Sequence, residues 1–261
     1  MPRKPRIEIP GYYHIINRGV ERRMVYGEVE DYEYFLELLC AHAQNYAVNV
    51  HNYCLMSNHY HLLIETEEEN LSRFMRQINA NYAIYFNKKY GRVGHLWQGR
   101  YRSWYVTDEA YLYTLMRYIE QNPIKAAMVK SVESYPYNSA HFFLDEKKIP
   151  KCLKNAWIVQ NYLDDREAIR AFLESPVDTD QLAELKKASA MLAASNVGRR
   201  IDEEKLKKLL QGTGEKKERN VRILEAYRQG YSQHMIAKVL GLNQATIQRI
   251  IVRTKNSISI T

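Results

Sequence analysis

Apolar and polar positions along this chain repeat with two different periods, and each change of period marks an element. Tyr12–Gly19 (YYHIINRG) is β-branched and aromatic and stops at a glycine, which predicts a first strand. Across Asp31–Tyr46 the apolar positions are Phe35, Leu38, Leu39 and His42/Ala43, the spacing of a helix. Val48–Met56 and Tyr60–Glu65 return to strand composition, with the short polar turn Ser57-Asn58 between them. Ser72–Tyr90 predicts a long helix stopped by Gly91, and Tyr101–Val106 a short strand. Thr107 then caps a helix whose first turn holds Asp108 and Glu109, the charge that suits the positive end of a helix dipole. A residue before proline is driven out of the α region, so this helix is expected to end where Asn122 meets Pro123.

Strand, helix, strand, strand, helix, strand, helix is the order of a ferredoxin-like α+β sandwich, an antiparallel sheet with helices on it. Pro136 and Pro150 lie in an irregular stretch that closes this first domain, residues 1–150. Residues 151–198 form a connector, helical in pattern from about residue 160, with no chemistry legible in it. Residues 199–261 form an all-α module. Within it Gly212-Thr213-Gly214 and the charged Glu215-Lys216-Lys217-Glu218 read as a flexible link. Val221, Leu224 and Tyr227 mark a helix, Ser232 opens a second that stops at Gly241, and Asn243 caps a third with Ile247 and Ile250 facing inward. Small Ala237, then Gly241, then the branched Ile247 and Ile250 give helix-turn-helix spacing. On that reading Gln244, Thr246, Gln248 and Arg249 point outward, toward base edges or phosphates of duplex DNA.

Charge sharpens the division. The net charge is +8, but residues 1–150 carry 18 Lys and Arg against 17 Asp and Glu, whereas residues 199–255 carry 14 against 6. A basic module attached to a near-neutral domain fits a polyanionic partner. No apolar run reaches the roughly 20 residues a membrane span needs, so no membrane partner is expected. The basic N-terminus MPRKPRIEIPGYYH has no apolar stretch behind it and does not read as a secretory signal. Three cysteines, Cys40, Cys54 and Cys152, are an odd number without CxxC spacing. They argue for a reducing cytoplasm, in a nucleoid-associated place if the partner is DNA, and against a disulfide framework.

Candidate chemistry centres on His59-Tyr60-His61. Alternation on a strand puts both imidazoles on one face, about 7 Å apart, with Tyr60, Leu62 and Ile64 on the other. Such a pair can grip one divalent ion and leave its other positions open, although an isolated H-x-H is more often two half-exposed histidines at a sheet edge. In the helix Tyr111–Asn122, Leu112, Leu115, Met116 and Ile119 form the buried stripe, and Tyr118 and Asn122 lie one turn apart. A phenol is thus offered beside an amide oxygen. The run Leu96–Tyr105 (LWQGRYRSWY) combines rings for base stacking, Trp97 among them, with Arg100 and Arg102 for phosphates. The same pattern fits a buried aromatic strand with arginines on its wet face. Arg18 is a further phosphate candidate.

The strings EIPGYYHIINRG, MSNHYHLLIET, GHLWQGRYRS and YIEQNPIKAAMV stand in the order and spacing of single-tyrosine HUH transposases. The chain resembles that family over about residues 5–145, and its REP-associated tyrosine transposase branch most. The resemblance implies that His59 and His61 are the metal-binding pair for Mg²⁺ or Mn²⁺ and that Tyr118 is the nucleophile. Asn122 stands where many relatives carry a glutamine as third metal ligand, one methylene longer. It further implies cleavage and rejoining of single-stranded, hairpin-forming DNA through a 5′-phosphotyrosine, in a monomer or a homodimer. Two other readings share these residues: a nucleic-acid-binding regulator without catalysis, and a replication-initiator or relaxase-type nickase. The helix-turn-helix extension lies outside the resemblance.

Overall fold

The computed structural model describes residues 7–144, 149–162, 165–194, 203–211, 216–229, 231 and 233–258. Strand β1 (Gly11–Arg18) leads through α1 (Val29–Asn45) to the hairpin of β2 (Val48–Met56) and β3 (His59–Thr66). Helix α2 (Leu71–Lys89) returns the chain to the short strand β4 (Arg102–Tyr105). The sheet is antiparallel with order β2-β3-β1-β4, the ferredoxin-like arrangement expected from the element order. Register sets the chemistry: Arg18 faces His59, Ile16 faces His61, and His14 faces Leu63. Side chains alternate along a strand, so His14, Arg18, His59 and His61 share one face.

The other face carries the main core. Tyr13, Ile15, Tyr60, Leu62 and Ile64 are buried there with Phe35 of α1 and Phe74, Ile78 and Tyr82 of α2. Asp31 fastens the two helices: its carboxylate accepts from the Gly27 and Glu28 amides, from the Tyr85 and Tyr90 hydroxyls, and from Lys89.

Helix α3 (Glu109–Glu120) crosses the histidine face. It is pinned by Glu120, whose buried carboxyl accepts from Asn52 of β2 at 2.7 Å, from the Ala140 amide at 3.1 Å and from the Ser139 hydroxyl. Helix α3 ends at Glu120, close to the Asn122–Pro123 junction where the sequence places its end. Asn122–Lys125 forms a one-turn helix, α4, with Pro123 in its first turn, where a missing amide costs nothing. The chain continues through α5 (Ala140–Leu144), α6 (Trp157–Tyr162), α7 (Arg166–Glu174) and α8 (Thr179–Ala194). Cys40 and Cys152 are joined by a disulfide with Cα atoms 4.9 Å apart, so the expectation of no disulfide was wrong. A separation of 112 residues hides that pairing from spacing arguments.

The C-terminal segment holds α9 (Glu203–Leu210), α10 (Lys216–Arg228), α11 (Gln233–Leu240) and α12 (Gln244–Ile258). Leu206, Ile223, Leu224, Ile236, Ala237, Ile247 and Ile251 are buried among them. Gly241 turns the chain between α11 and α12 at φ +63°, a left-handed value that glycine adopts without strain. The Asn243 side chain caps α12 by accepting from the Thr246 amide at 2.8 Å. Val221 is 49% exposed and does not mark the inner face of α10; Ile223 and Leu224 do. Ser232 and the Gly212–Glu215 link lie outside the described residues. Among the described residues no helix is long and apolar enough to cross a membrane.

Candidate active site

The site forms where β3 and β1 meet α3. The His61 ring is buried and the His59 ring half-buried, with centroids 5.1 Å apart. Burial, helped by the Arg18 charge, holds the His59 imidazole down to a pKa of about 4. Burial also takes His61 well below its ordinary range, and His14, His59, Arg18 and Lys186 add to the effect. Both rings are therefore neutral near pH 7, the form that binds a metal. Each also has its Nδ1 engaged: His59 with the Asn58 side-chain oxygen at 2.6 Å, His61 with His14 Nε2 at 3.1 Å. The Asn58 oxygen can only accept, so His59 Nδ1 carries the proton and Nε2 the lone pair. His61 presents Nε2 likewise in the tautomer that donates from Nδ1 to His14, and in that form the pair fits a divalent cation. Among the described residues no three His, Cys, Asp or Glu side chains are arranged to hold a metal.

Tyr118 reaches the pair from α3. Its ring lies edge-on to His61 at 5.7 Å and to His14 at 5.9 Å. Desolvation raises its pKa, which works against a phenolate nucleophile. The Lys125 ammonium, carried by α4, sits 4.8 Å from the Tyr118 ring centroid and brings the positive charge that an attacking phenol needs. Asn122 is close by, but its amide nitrogen donates to the Tyr118 carbonyl at 2.7 Å and to the Ile119 carbonyl at 3.3 Å. Those bonds use the end of the amide that cannot ligate a metal.

A groove of about 940 Å³ runs along the β1–β4 edge beside these histidines, lined by Arg18, Arg100, Arg102, Trp104 and Lys186 among others. Trp97 is not in it. Its indole donates to the Asn79 carbonyl at 2.9 Å and packs on Tyr60 at 5.5 Å, on the α2 side of the sheet. In the C-terminal segment Arg249 is exposed and Thr246 half-exposed. The side chain of Gln244 lies outside the described part. Gln248 does not point outward: it accepts from Gln233 and donates to Asp108 of the first domain at 3.4 Å. The carboxylate beside the start of α3 draws it inward.

Two residues escaped the sequence reading. His14 lies at the parity of β1 that faces His61, but only the register reveals this. Lys125 lies seven residues beyond Tyr118 in the separate one-turn helix α4, and only the way α4 follows α3 brings it over the Tyr118 ring.

A buried and a half-buried histidine on one face of a central strand, with a helix-borne tyrosine packed on that same face of a ferredoxin-like sheet, define a class of α+β domain with a candidate nucleophile beside a candidate metal-binding pair. Residues 10–122 match the family model described as IS200-like transposase, so this segment is similar to that family. Among solved structures, one described as a REP-associated tyrosine transposase bound to a REP hairpin aligns with a TM-score of 0.46 and 18% identity. The alignment covers 57% of this chain and 89% of that one. Among curated proteins none matches significantly.

Proposed function

We propose that this protein is a transposase that cuts and rejoins single-stranded, hairpin-forming DNA, with Tyr118 as nucleophile. The observation that carries the reading is the edge-on packing of the Tyr118 ring against His61, one of two neutral imidazoles on the same strand face. His59 and His61 would hold Mg²⁺ or Mn²⁺, which when bound supplies Lewis-acid polarisation of the scissile phosphate. Asn122 would serve as a third donor through its amide oxygen, the end that its bonds to the helix carbonyls do not use.

The Tyr118 oxygen attacks phosphorus and its proton leaves to solvent. The bond to the 3′ oxygen breaks, and that oxygen takes up a proton. The product is a free 3′-hydroxyl and a 5′-phosphotyrosine. Because one phosphodiester bond replaces another, a second 3′-hydroxyl can reverse the step and join strands without a nucleotide cofactor. Lys125 favours the developing phenolate, and Arg18, Arg100 and Arg102 hold flanking phosphates. The C-terminal helices would bind duplex DNA through Arg249 and Thr246.

The test is incubation of the full-length protein with a labelled hairpin oligonucleotide carrying single-stranded flanks. Cleavage with Mg²⁺ or Mn²⁺, and its loss with chelator or in His61→Ala, is the expected result. Binding without cleavage under every metal condition would instead favour a regulator that does no chemistry.

A further inference from the structure

Helix α8 lies outside the segment that matches the transposase family, in the stretch where the sequence showed no chemistry. The structure places it against the groove lined by Arg18, Arg100 and Arg102. Ser189 of α8 accepts from the Tyr105 amide at 2.9 Å, covering an edge-strand donor of β4 and fixing the helix along it. One turn earlier on the same helix, Lys186 stands at the groove wall, 5.8 Å from the Trp104 ring centroid. Trp104 in turn stacks obliquely beside His14 at 5.4 Å. Lys186 is also close enough to lower the pKa of both His14 and His61.

We propose that α8 is a working wall of the nucleic-acid site. Lys186 takes a backbone phosphate, and Trp104 the base, of the nucleotide lying next to the cleaved position. Three observations carry this. The described lining brings together four cations, Arg18, Arg100, Arg102 and Lys186, and contains no carboxylate. It presents an indole face, which stacks on any base without needing a particular sequence. Its Trp104 packs on His14, and His14 packs on both His61 and Tyr118, so a strand held in the groove lies one side chain from the reacting centre. The inference rests on the proposed DNA chemistry and adds to it a substrate contact from the connector.

The test uses full-length protein and a fluorescein-labelled hairpin oligonucleotide with single-stranded flanks, read by anisotropy across a series of KCl concentrations. Lys186→Gln is expected to weaken binding and to reduce the slope of log affinity against log salt by about 0.7, one single-strand phosphate contact. Trp104→Ala is expected to weaken binding roughly 5- to 100-fold with the slope unchanged, and Trp104→Phe to restore much of it. Lys187, exposed on the same helix but absent from the groove lining, serves as the control. Lys187→Gln should leave the slope as it is. An unchanged slope in Lys186→Gln, or equal losses at Lys186 and Lys187, would overturn the proposal. If the wild-type protein still forms a covalent adduct with the oligonucleotide in that case, the transposase reading stands without this wall. If the wild type neither binds nor cuts, that reading fails first.

Discussion

His14 and His61 meet ring to ring, and that contact bears on how the second imidazole is presented. In the tautomer where His61 Nδ1–H donates to His14 Nε2 across their 3.1 Å contact, the neutral His61 keeps its lone pair on Nε2. Replacing His14 with alanine should therefore weaken Mn²⁺ binding about 10- to 100-fold, as expected for the loss of a group that orients a metal ligand. Titration of Mn²⁺ followed by electron paramagnetic resonance would show it, and unchanged affinity would remove His14 from that role. Glu120 makes a different prediction. Burial lifts its pKa to about 7 from 4.5, against the pull of Ser139, Asn52 and the Ala140 amide. The folded state thus binds a proton that the unfolded chain releases between roughly pH 4.5 and 7. Stability from this group is full below that window and falls as pH rises through it, by about 3 kcal/mol at most. Urea unfolding of Glu120→Gln should lack this part of the pH dependence.

Among the elements, α1 and α2 depend on one carboxylate. Asp31 is fully buried, joins the start of α1 to Tyr85, Lys89 and Tyr90, and its removal takes the acceptor from both hydroxyls while Lys89 keeps Glu28 at 3.0 Å. Asp31→Ala should cost about 3 kcal/mol in urea unfolding, the scale for breaking a buried charged network; a cost near zero would mean water replaces it. The same elements show what periodicity could reach. Strand and helix order, the facing of His59 and His61, and the Asn243 cap were legible because each depends on neighbours a few residues away. The inward turn of Gln248, the position of Trp97 behind the sheet and the Cys40–Cys152 bond were not. Each is set by a partner far along the chain: Asp108, Asn79 and, for the cysteines, each other. Lys186 belongs with them, because nothing in the spacing of α8 indicates which strand edge it covers.

At the scale of the molecule, two kinds of surface are separated. The histidines, Tyr118 and the groove lie in the first 125 residues apart from Lys186, while the basic excess lies beyond residue 198. Ending the chain at residue 198 should leave hairpin cleavage within a few-fold of the full-length rate and abolish salt-dependent affinity for duplex DNA. Arg249→Ala in the full chain should lower duplex affinity and the salt slope together. Equal duplex affinity in the shortened and full-length proteins would show that the C-terminal helices bind something else. The central claim is that Tyr118 is the nucleophile, and peptide mapping by mass spectrometry tests it most directly. After reaction of the full-length protein with hairpin DNA and Mn²⁺, a nucleotide should be found covalently attached to the peptide containing Tyr118. No adduct should form in Tyr118→Phe. An adduct on another tyrosine, or one that persists in the phenylalanine variant, would contradict the account.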